Sequence, residues 1–415
     1  MRPKVFFKTF GCRTNLFDSQ VMISRLKDYD VTLNENEADV IIVNSCTVTN
    51  GADSSVRTYI NHVEKAGKAK VYLTGCGAHT KGEALFDKEK VFGVFGQSEK
   101  EKINELLQQT VRFYEIGDLN HIDETVVTDF VGKSRAFIKI QEGCNFRCSY
   151  CIIPFVRGDA RSMDESKILE QVSKLAANGF GEFILTGTNV GSYGQGEGRS
   201  IAQLMKKMSL IRGVRRIRIG SLEPIQVTDE FKELLEEPWL ERHLHIALQH
   251  TSPAMLKIMN RRNRFENDLK LFEMLASRGY ALGTDFIVGH PGESEEIWAE
   301  AVANLHKLPL THVHAFTYSK RDGTPSATMT SEVPGNVSKQ RMQELNAIVD
   351  ANNLAFREKH RVPLEVLVES CKEGLYSGLD QFFNKVIIRS DEDLTGNWVT
   401  IEEYKIERDY NYVEL

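Results

Sequence analysis

The residues best equipped for chemistry in this 415-residue chain lie in Glu142-Gly143-Cys144-Asn145-Phe146-Arg147-Cys148-Ser149-Tyr150-Cys151, where three thiols stand at CxxxCxxC spacing. Three thiolates can hold an iron–sulfur cluster by three corners and leave the fourth iron open to a substrate. Structural zinc wants four ligands, usually as two close pairs, and no second pair lies near this one. Inert core thiols are the other reading, and three cysteines within eight residues are too dense for it. Of the four remaining cysteines, Cys12, Cys46 and Cys76 each follow an apolar run. Taken singly, each reads as a small buried hydrophobe. Their shared position past a strand end instead suggests a second three-thiolate set, with glycines at 11, 75 and 77 letting backbone approach a bulky inorganic group. Cys371 stands apart from both sets.

The elements that must position these thiols follow from periodicity. Lys4–Phe10 stops at Gly11-Cys12, Asp39–Asn44 runs on to Cys46, and Lys70–Leu73 reaches Gly75-Cys76. A helix is expected at Asp18–Lys27. Near-continuous apolar strands separated by helices imply a parallel sheet covered on both faces, whose ligands bind beyond the carboxyl ends of the strands. Residues 99–131 lack clear periodicity and read as a linker. From Ser134, strands are expected at Ala136–Ile140, Glu182–Leu185, Arg216–Ile219, His245–Leu248, Thr284–Val288 and Val313–Phe316, alternating with helical patterns. Six such units suggest a parallel barrel or part of one, with chemistry at the loop end. Short strands after residue 361 fit a small antiparallel barrel. The expected organisation is thus α/β, with domains at 1–110, 130–360 and 361–415.

Composition narrows the class. The chain is 41% hydrophobic, with no apolar run near the length of a membrane span, so a cytoplasmic protein is expected. Seven cysteines are too sparse for a disulfide scaffold, and exposed cluster thiolates need a reducing compartment. A net charge of −6 excludes a general polyanion binder and leaves local basic patches for any nucleic-acid contact. Gly194-Gln-Gly-Glu-Gly198 lacks the Lys-Ser/Thr ending of a phosphate loop and reads as a flexible loop.

The CxxxCxxC motif with an aromatic residue before its third Cys resembles the signature of radical S-adenosylmethionine (SAM) enzymes. Thr9-Phe-Gly-Cys12-Arg-Thr-Asn15, Asn44-Ser-Cys46-Thr-Val-Thr49 and Thr74-Gly-Cys76 resemble the three cysteine motifs of the methylthiotransferase family within it, and Pro154-x-x-Arg157-Gly-x-x-Arg161-Ser162 resembles another of that family's patterns. The resemblance covers nearly the whole chain. It implies an N-terminal methylthiotransferase domain, a partial (β/α)6 radical SAM barrel and a C-terminal β-barrel resembling the RNA-binding TRAM module, the alternative for the last being a β-cap that only shields the barrel. It also implies two [4Fe-4S] clusters, the radical SAM cluster on Cys144, Cys148 and Cys151 and an auxiliary, sulfur-carrying one on Cys12, Cys46 and Cys76.

What the resemblance implies for the activity is one-electron cleavage of SAM to a 5′-deoxyadenosyl radical, and replacement of hydrogen at an unactivated carbon by a methylthio group, with a second SAM as methyl donor. Tyr150 would lie near the adenine. Thr186, Gly187, Thr188 and Asn189 would receive the SAM amino group, Ser221 and Glu223 the ribose, and Gln249 and Asp285 would complete the pocket. Implied partners are the anticodon arm of tRNA, a one-electron donor such as flavodoxin or ferredoxin, and a sulfur source. Residues 44–53 and 259–262 look most like the branch acting on threonylcarbamoyladenosine at position 37. Arg157 and Arg161 are then candidates for the substrate carboxylate, and Arg215, Arg216, Arg261 and Arg262 for RNA. The alternatives are the isopentenyladenosine branch, the branch modifying a ribosomal-protein aspartate, and a non-catalytic metal-holding RNA-binding protein.

Overall fold

A computed structural model describes residues 2–123, 125–130 and 132–415. The first unit is a six-stranded, all-parallel sheet of β1 (Lys4–Thr9), β2 (Asp30–Val31), β3 (Val40–Ser45), β4 (Lys70–Gly75), β5 (Gly93–Phe95) and β6 (Phe113–Glu115) in the order β2-β1-β3-β4-β5-β6. The whole of β3 is buried, as a central parallel strand with helices on both faces must be. Helices α1 (Arg13–Arg25), α2 (Asn50–Ala66) and α3 (Ala78–Asp87) follow β1, β3 and β4.

Two expectations change here. The first helix begins at Arg13, five residues before its apolar periodicity suggests, because its polar residues Thr14, Asn15, Asp18 and Ser19 are buried against other protein rather than solvated. The stretch read as linker also contributes structure. It supplies β6, which completes the sheet, and the buried cation Lys100.

The second unit is built on β7 (Ala136–Lys139), the hairpin β8 (Gln141–Glu142) and β9 (Arg161–Ser162), then β10 (Glu182–Thr186), β11 (Arg216–Ile219), β12 (His243–His245), β13 (Ala281–Val288) and β14 (His312–Thr317). β7-β10-β11 and β12-β13-β14 are parallel triplets joined by the bridges Ile217↔Leu240 and Leu222↔Ile246, giving a six-stranded partial barrel. All six expected strands are present, although β12 starts two residues earlier. Helix α1 packs against the free edge strand β7, and its Phe17 and Val21 join the barrel's hydrophobic core. A 25-residue helix, Gly335–Lys359, lies along β14. Its buried side includes Ser338, Arg341 and Arg357, so it carries little of the apolar stripe by which a helix is recognised.

The last unit is a curled sheet of β15 (Leu364–Lys372), β16 (Leu375–Leu379), β17 (Lys385–Arg389), β18 (Trp398–Ile401), β19 (Lys405–Ile406) and β20 (Asn411–Glu414), in the order β18-β15-β16-β17-β20-β19. It is antiparallel except where β17 and β20 run parallel. It sits at the amino ends of the barrel strands. There Arg135 reaches Glu369, Arg216 donates to the Glu365 carbonyl and Arg218 to the Asp380 carbonyl. The turn between β16 and β17 pushes Phe383 into the barrel, where its ring stacks on His243 with centroids 4.9 Å apart. Phe383 holds φ +68°, a left-handed conformation costly for a bulky side chain, and Asp380 stabilises the turn by accepting from the backbone N–H groups of Phe382 and Asn384.

Candidate active site

Strands β1, β3 and β4 end side by side, and each leads through a cysteine to a helix. Cys12 is the N-cap of α1 and Cys76 lies two residues before α3, positions where helix N-termini favour thiolates, while Cys46 lies four residues before α2. α1 has no acidic residue in its first turn to offset that field. Gly11 makes the close approach possible: at φ +96°, a Cβ on it would lie 2.6 Å from the Cys46 Cβ and 2.9 Å from its Sγ. Burial pushes the Cys46 thiol up, and pushes Cys76 up to about 12 against the pull of Arg157, whose Nε donates to the Cys76 Sγ at 3.1 Å. Three converging sulfurs over a glycine cradle fit a cubane held at three corners.

The second triple rises from the β8–β9 hairpin. Gly143 forms the neck of its loop at φ +73°, where a Cβ would come within 1.9 Å of the Asp159 carbonyl oxygen. Cys144 Sγ accepts from the Phe146 N–H at 3.4 Å and faces the Asn189 amide at 3.6 Å; Cys148 Sγ faces Arg261 at 3.6 Å; the Cys151 N–H donates to the Cys148 carbonyl at 3.1 Å. Burial pushes the Cys151 thiol up to about 12. These sulfurs also fit a cluster, and polar groups stand ready to hydrogen-bond it.

The first triple and Cys151 of the second meet across one space. Cys12, Cys46 and Cys76 from the first unit and Tyr150, Cys151, Thr188, Gln249 and Asp285 from the second line a cavity of about 360 Å³. Within it the Thr188 hydroxyl is buried with no partner among the described residues, and Gln249 holds φ +66°, a strained conformation for a non-glycine residue. An adjoining cavity of about 620 Å³ runs into the barrel from Cys12 and Cys46 past Thr186, Gly187, Ser221 and Asp285 to Phe383. Asn189 lies instead beside Cys144, with its side-chain oxygen accepting from Gln226 at 2.6 Å. Glu223 commits both carboxylate oxygens to Arg261.

The arginine expectations need correction. Arg157 borders the cavity between the triples but is 1% exposed, and its guanidinium is already paired with Asp18, Glu142, Asn15 and Cys76 rather than open to a substrate carboxylate. Arg161, also mostly buried, binds Glu142 and the carbonyls of His121 and Arg157. Arg216 is buried against Glu182, and Arg261 against Glu223 and the Ala247 carbonyl, so neither is an RNA contact. Arg262 and Arg215 are exposed, at opposite ends of the barrel. Arg262 lies over Phe146 in the cysteine loop, and Arg215 over Trp398 of the last sheet.

Sequence reasoning missed the device that fixes the two triples relative to each other. Lys100, Lys139 and Arg157 form a buried network with Asp18, Asp123 and Glu142, three charges of each sign, between the first unit and the barrel, and Arg161 joins Glu142 at its edge. Burial alone would raise the carboxyls, but the surrounding cations hold Asp18 and Asp123 well below the ordinary range and Glu142 down at about 2. The signal was Lys139, a charge inside the otherwise apolar strand Ala136–Ile140, where only ion pairing makes burial tolerable. A second clamp is Arg321, 6% exposed, which donates to the Thr47 carbonyl at 3.0 Å and pairs with Asp53 at 2.7 Å.

A parallel partial barrel with a CxxxCxxC loop after its first strand is the architecture of a radical SAM enzyme. Residues 138–305 match the radical SAM superfamily, and residues 4–96 match the uncharacterized protein family UPF0004. The radical SAM methyltransferase TsrM from Kitasatospora setae, with cobalamin and a [4Fe-4S] cluster bound, shares the fold at TM-score 0.61 and 16% identity, over 79% of this chain and 77% of that one. A Helicobacter pylori protein named as a methylthiotransferase is 56% identical over 414 residues, 99% of each chain. The Bacillus subtilis threonylcarbamoyladenosine tRNA methylthiotransferase MtaB is 33% identical over 98% of this chain and 95% of its own. A tRNA-2-methylthio-N(6)-dimethylallyladenosine synthase from Acetivibrio thermocellus is 33% identical over 95% and 87%. The chain belongs to the radical SAM methylthiotransferases, SAM-dependent enzymes with two [4Fe-4S] clusters that transfer a methylthio group. No helix among the described residues is long and apolar enough to cross a membrane.

Proposed function

We propose that the substrate is tRNA carrying threonylcarbamoyladenosine at position 37, which receives a 2-methylthio group. The observation that carries this reading is the barrel cavity beside Cys12 and Cys46. Along with Val48 and Phe316 it presents Arg13, Ser221, His245, Asp285 and His314, groups suited to a carboxylate, a hydroxyl and a carbonyl. Ser221, His245 and His314 already pair with Asp285, so an isopentenyl group would leave Arg13 without a partner, and sites built to pair with a substrate's polar group reject the analogue that lacks it.

In this reading Cys144, Cys148 and Cys151 hold the radical SAM cluster, and Cys12, Cys46 and Cys76 the auxiliary one. Bound there, the clusters supply electron transfer to SAM and the sulfur for the new bond. The protein's own part is placement. The Asp18 network and the Arg321 clamp set the distance between the triples, Asn189 and Arg261 hydrogen-bond the barrel sulfurs, and Thr188, Ser221, Gln249 and Asp285 receive SAM or the base. Arg262, at the cysteine loop, contacts the anticodon arm. The reaction takes place in the cytoplasm, with a flavodoxin- or ferredoxin-like electron donor and an external sulfur source.

The test offers reconstituted enzyme three substrates: tRNA with threonylcarbamoyladenosine, the same tRNA unmodified, and tRNA with isopentenyladenosine. Methylthiolation confined to the first supports the reading. Equal activity on the third, or activity only on a ribosomal protein, overturns it.

A further inference from the structure

With Arg157 and Arg161 enclosed in ion pairs, the cation facing the barrel cavity must be sought elsewhere. Arg13, adjacent to Cys12 at the start of α1, lines that cavity and is half-buried. Its guanidinium makes no hydrogen bond or ion pair among the described residues and lies over the Phe383 ring, whose centroid is 5.8 Å from the guanidinium carbon. The other charged groups of the cavity are satisfied. Arg218 is held by Glu182 at 3.0 Å and Glu241 at 2.8 Å, and Glu241 also accepts from the Ile219 N–H at 2.7 Å. Asp285, which would repel an incoming carboxylate, is bracketed by His245 Nε2 at 3.2 Å, His314 Nδ1 at 3.5 Å and the Ser221 hydroxyl at 3.3 Å.

We propose that Arg13 reads the carboxylate of the substrate's threonylcarbamoyl group, pairing its guanidinium fork with the two carboxylate oxygens at the Phe383 end of the cavity. His314, held by Asp285, lines the same cavity. This proposal rests on the substrate reading above and adds to it the specificity-determining residue. A planar guanidinium matches a carboxylate bidentately, whereas lysine offers only a point charge. Lining the cavity next to the sulfur-carrying triple, Arg13 would fix the distal end of the modified base while its C2 edge faces the clusters.

The experiment uses holoenzyme and two anticodon stem-loop RNAs, one with threonylcarbamoyladenosine and one with the threonyl carboxylate converted to a carboxamide. Wild type, Arg13→Lys and Arg13→Gln are compared in kcat/KM, with iron per chain as a check on assembly. Wild type is expected to prefer the carboxylate by roughly 10- to 100-fold, mostly in KM. Arg13→Gln should bring that ratio to within about threefold of unity, whereas Arg13→Lys should keep part of it. Iron should stay near eight per chain, roughly four per cluster. An unchanged ratio in Arg13→Gln overturns Arg13 as the reader. So does a wild type that methylthiolates both RNAs equally, although the substrate reading would then stand. A wild type inactive on both overturns the substrate reading and this inference together. Loss of iron in both variants would assign Arg13 to cluster assembly and overturn it as well.

Discussion

Replacing Asp18 by Asn removes the anion that touches all three cations of the buried network, at 3.1 Å from Lys100, 2.8 Å from Lys139 and 3.1 Å from Arg157. Three cations would then face only Asp123 and Glu142 in a site where the side chains are at most 3% exposed. Breaking a buried pair costs about 3–5 kcal/mol because the remaining charge is left uncompensated. Asn keeps one acceptor oxygen, so the low end, about 3 kcal/mol, is expected. Against a slope of about 3 kcal/mol/M for a chain of this size, that is about 1 M in the urea midpoint. The balancing change is Lys139→Met. The double variant has two charges of each sign and should be less destabilised than the sum of the singles by about 2 kcal/mol. The assay is anaerobic urea unfolding of all four proteins, with limited proteolysis between β6 and β7 reporting undocking of the first unit. A cost under about 1 kcal/mol for Asp18→Asn, or energies additive within about 0.5 kcal/mol, would refute the claim that this network holds the two units together.

Further outcomes are expected. Replacing Cys144, Cys148 and Cys151 by Ala should halve an iron content of about eight per chain and abolish dithionite-driven SAM cleavage. Replacing Cys12, Cys46 and Cys76 should also halve the iron but leave cleavage without methylthio transfer; iron analysis and nucleoside chromatography decide. Cys371→Ser, at an exposed cysteine in the last sheet, should change neither quantity. Because Asp18 and Asp123 are depressed in the folded state, their contribution is fully present above the unfolded carboxylate value of about 4. It is lost as pH falls below that value, so the urea midpoint should not change on their account between pH 7 and 5 and should drop steeply below about 4. Phe383→Ala should raise the ratio of 5′-deoxyadenosine formed to product methylthiolated, measured by chromatography, because the ring that ends the cavity is gone.

Most strands could be read from the sequence because a parallel strand buried on both faces must be apolar along its length, as Val40–Val43 and Ile184–Leu185 are. The cysteine triples were visible for a related reason: topology places strand ends on one rim, so residues just past three strands must meet. β12 was placed two residues late because its own residues include His243 and His245, whose burial depends on the rings packed against them. Arg157 looked like a surface cation near an active-site mouth. Its partners Asp18 and Asn15 lie 139 and 142 residues away, and no local pattern reveals such a pairing. The role of Phe383 was hidden in the same way. A phenylalanine in a polar turn reads as an incidental exposed aromatic until the barrel that receives it is assembled.

That ring changes what the last sheet is for. A partial barrel is a pipe, and a pipe holds a reactive species only when stoppered. Phe383 is the stopper, kept in its strained pose by the Asp380 turn and by Arg218, whose other contacts are the barrel carboxylates Glu182 and Glu241. The terminal module therefore closes the amino end of the cavity proposed above for the substrate. Trimming it would open the cavity from below, and on the proposed substrate reading exchanging it for a relative's would alter the depth available to the side chain on the base.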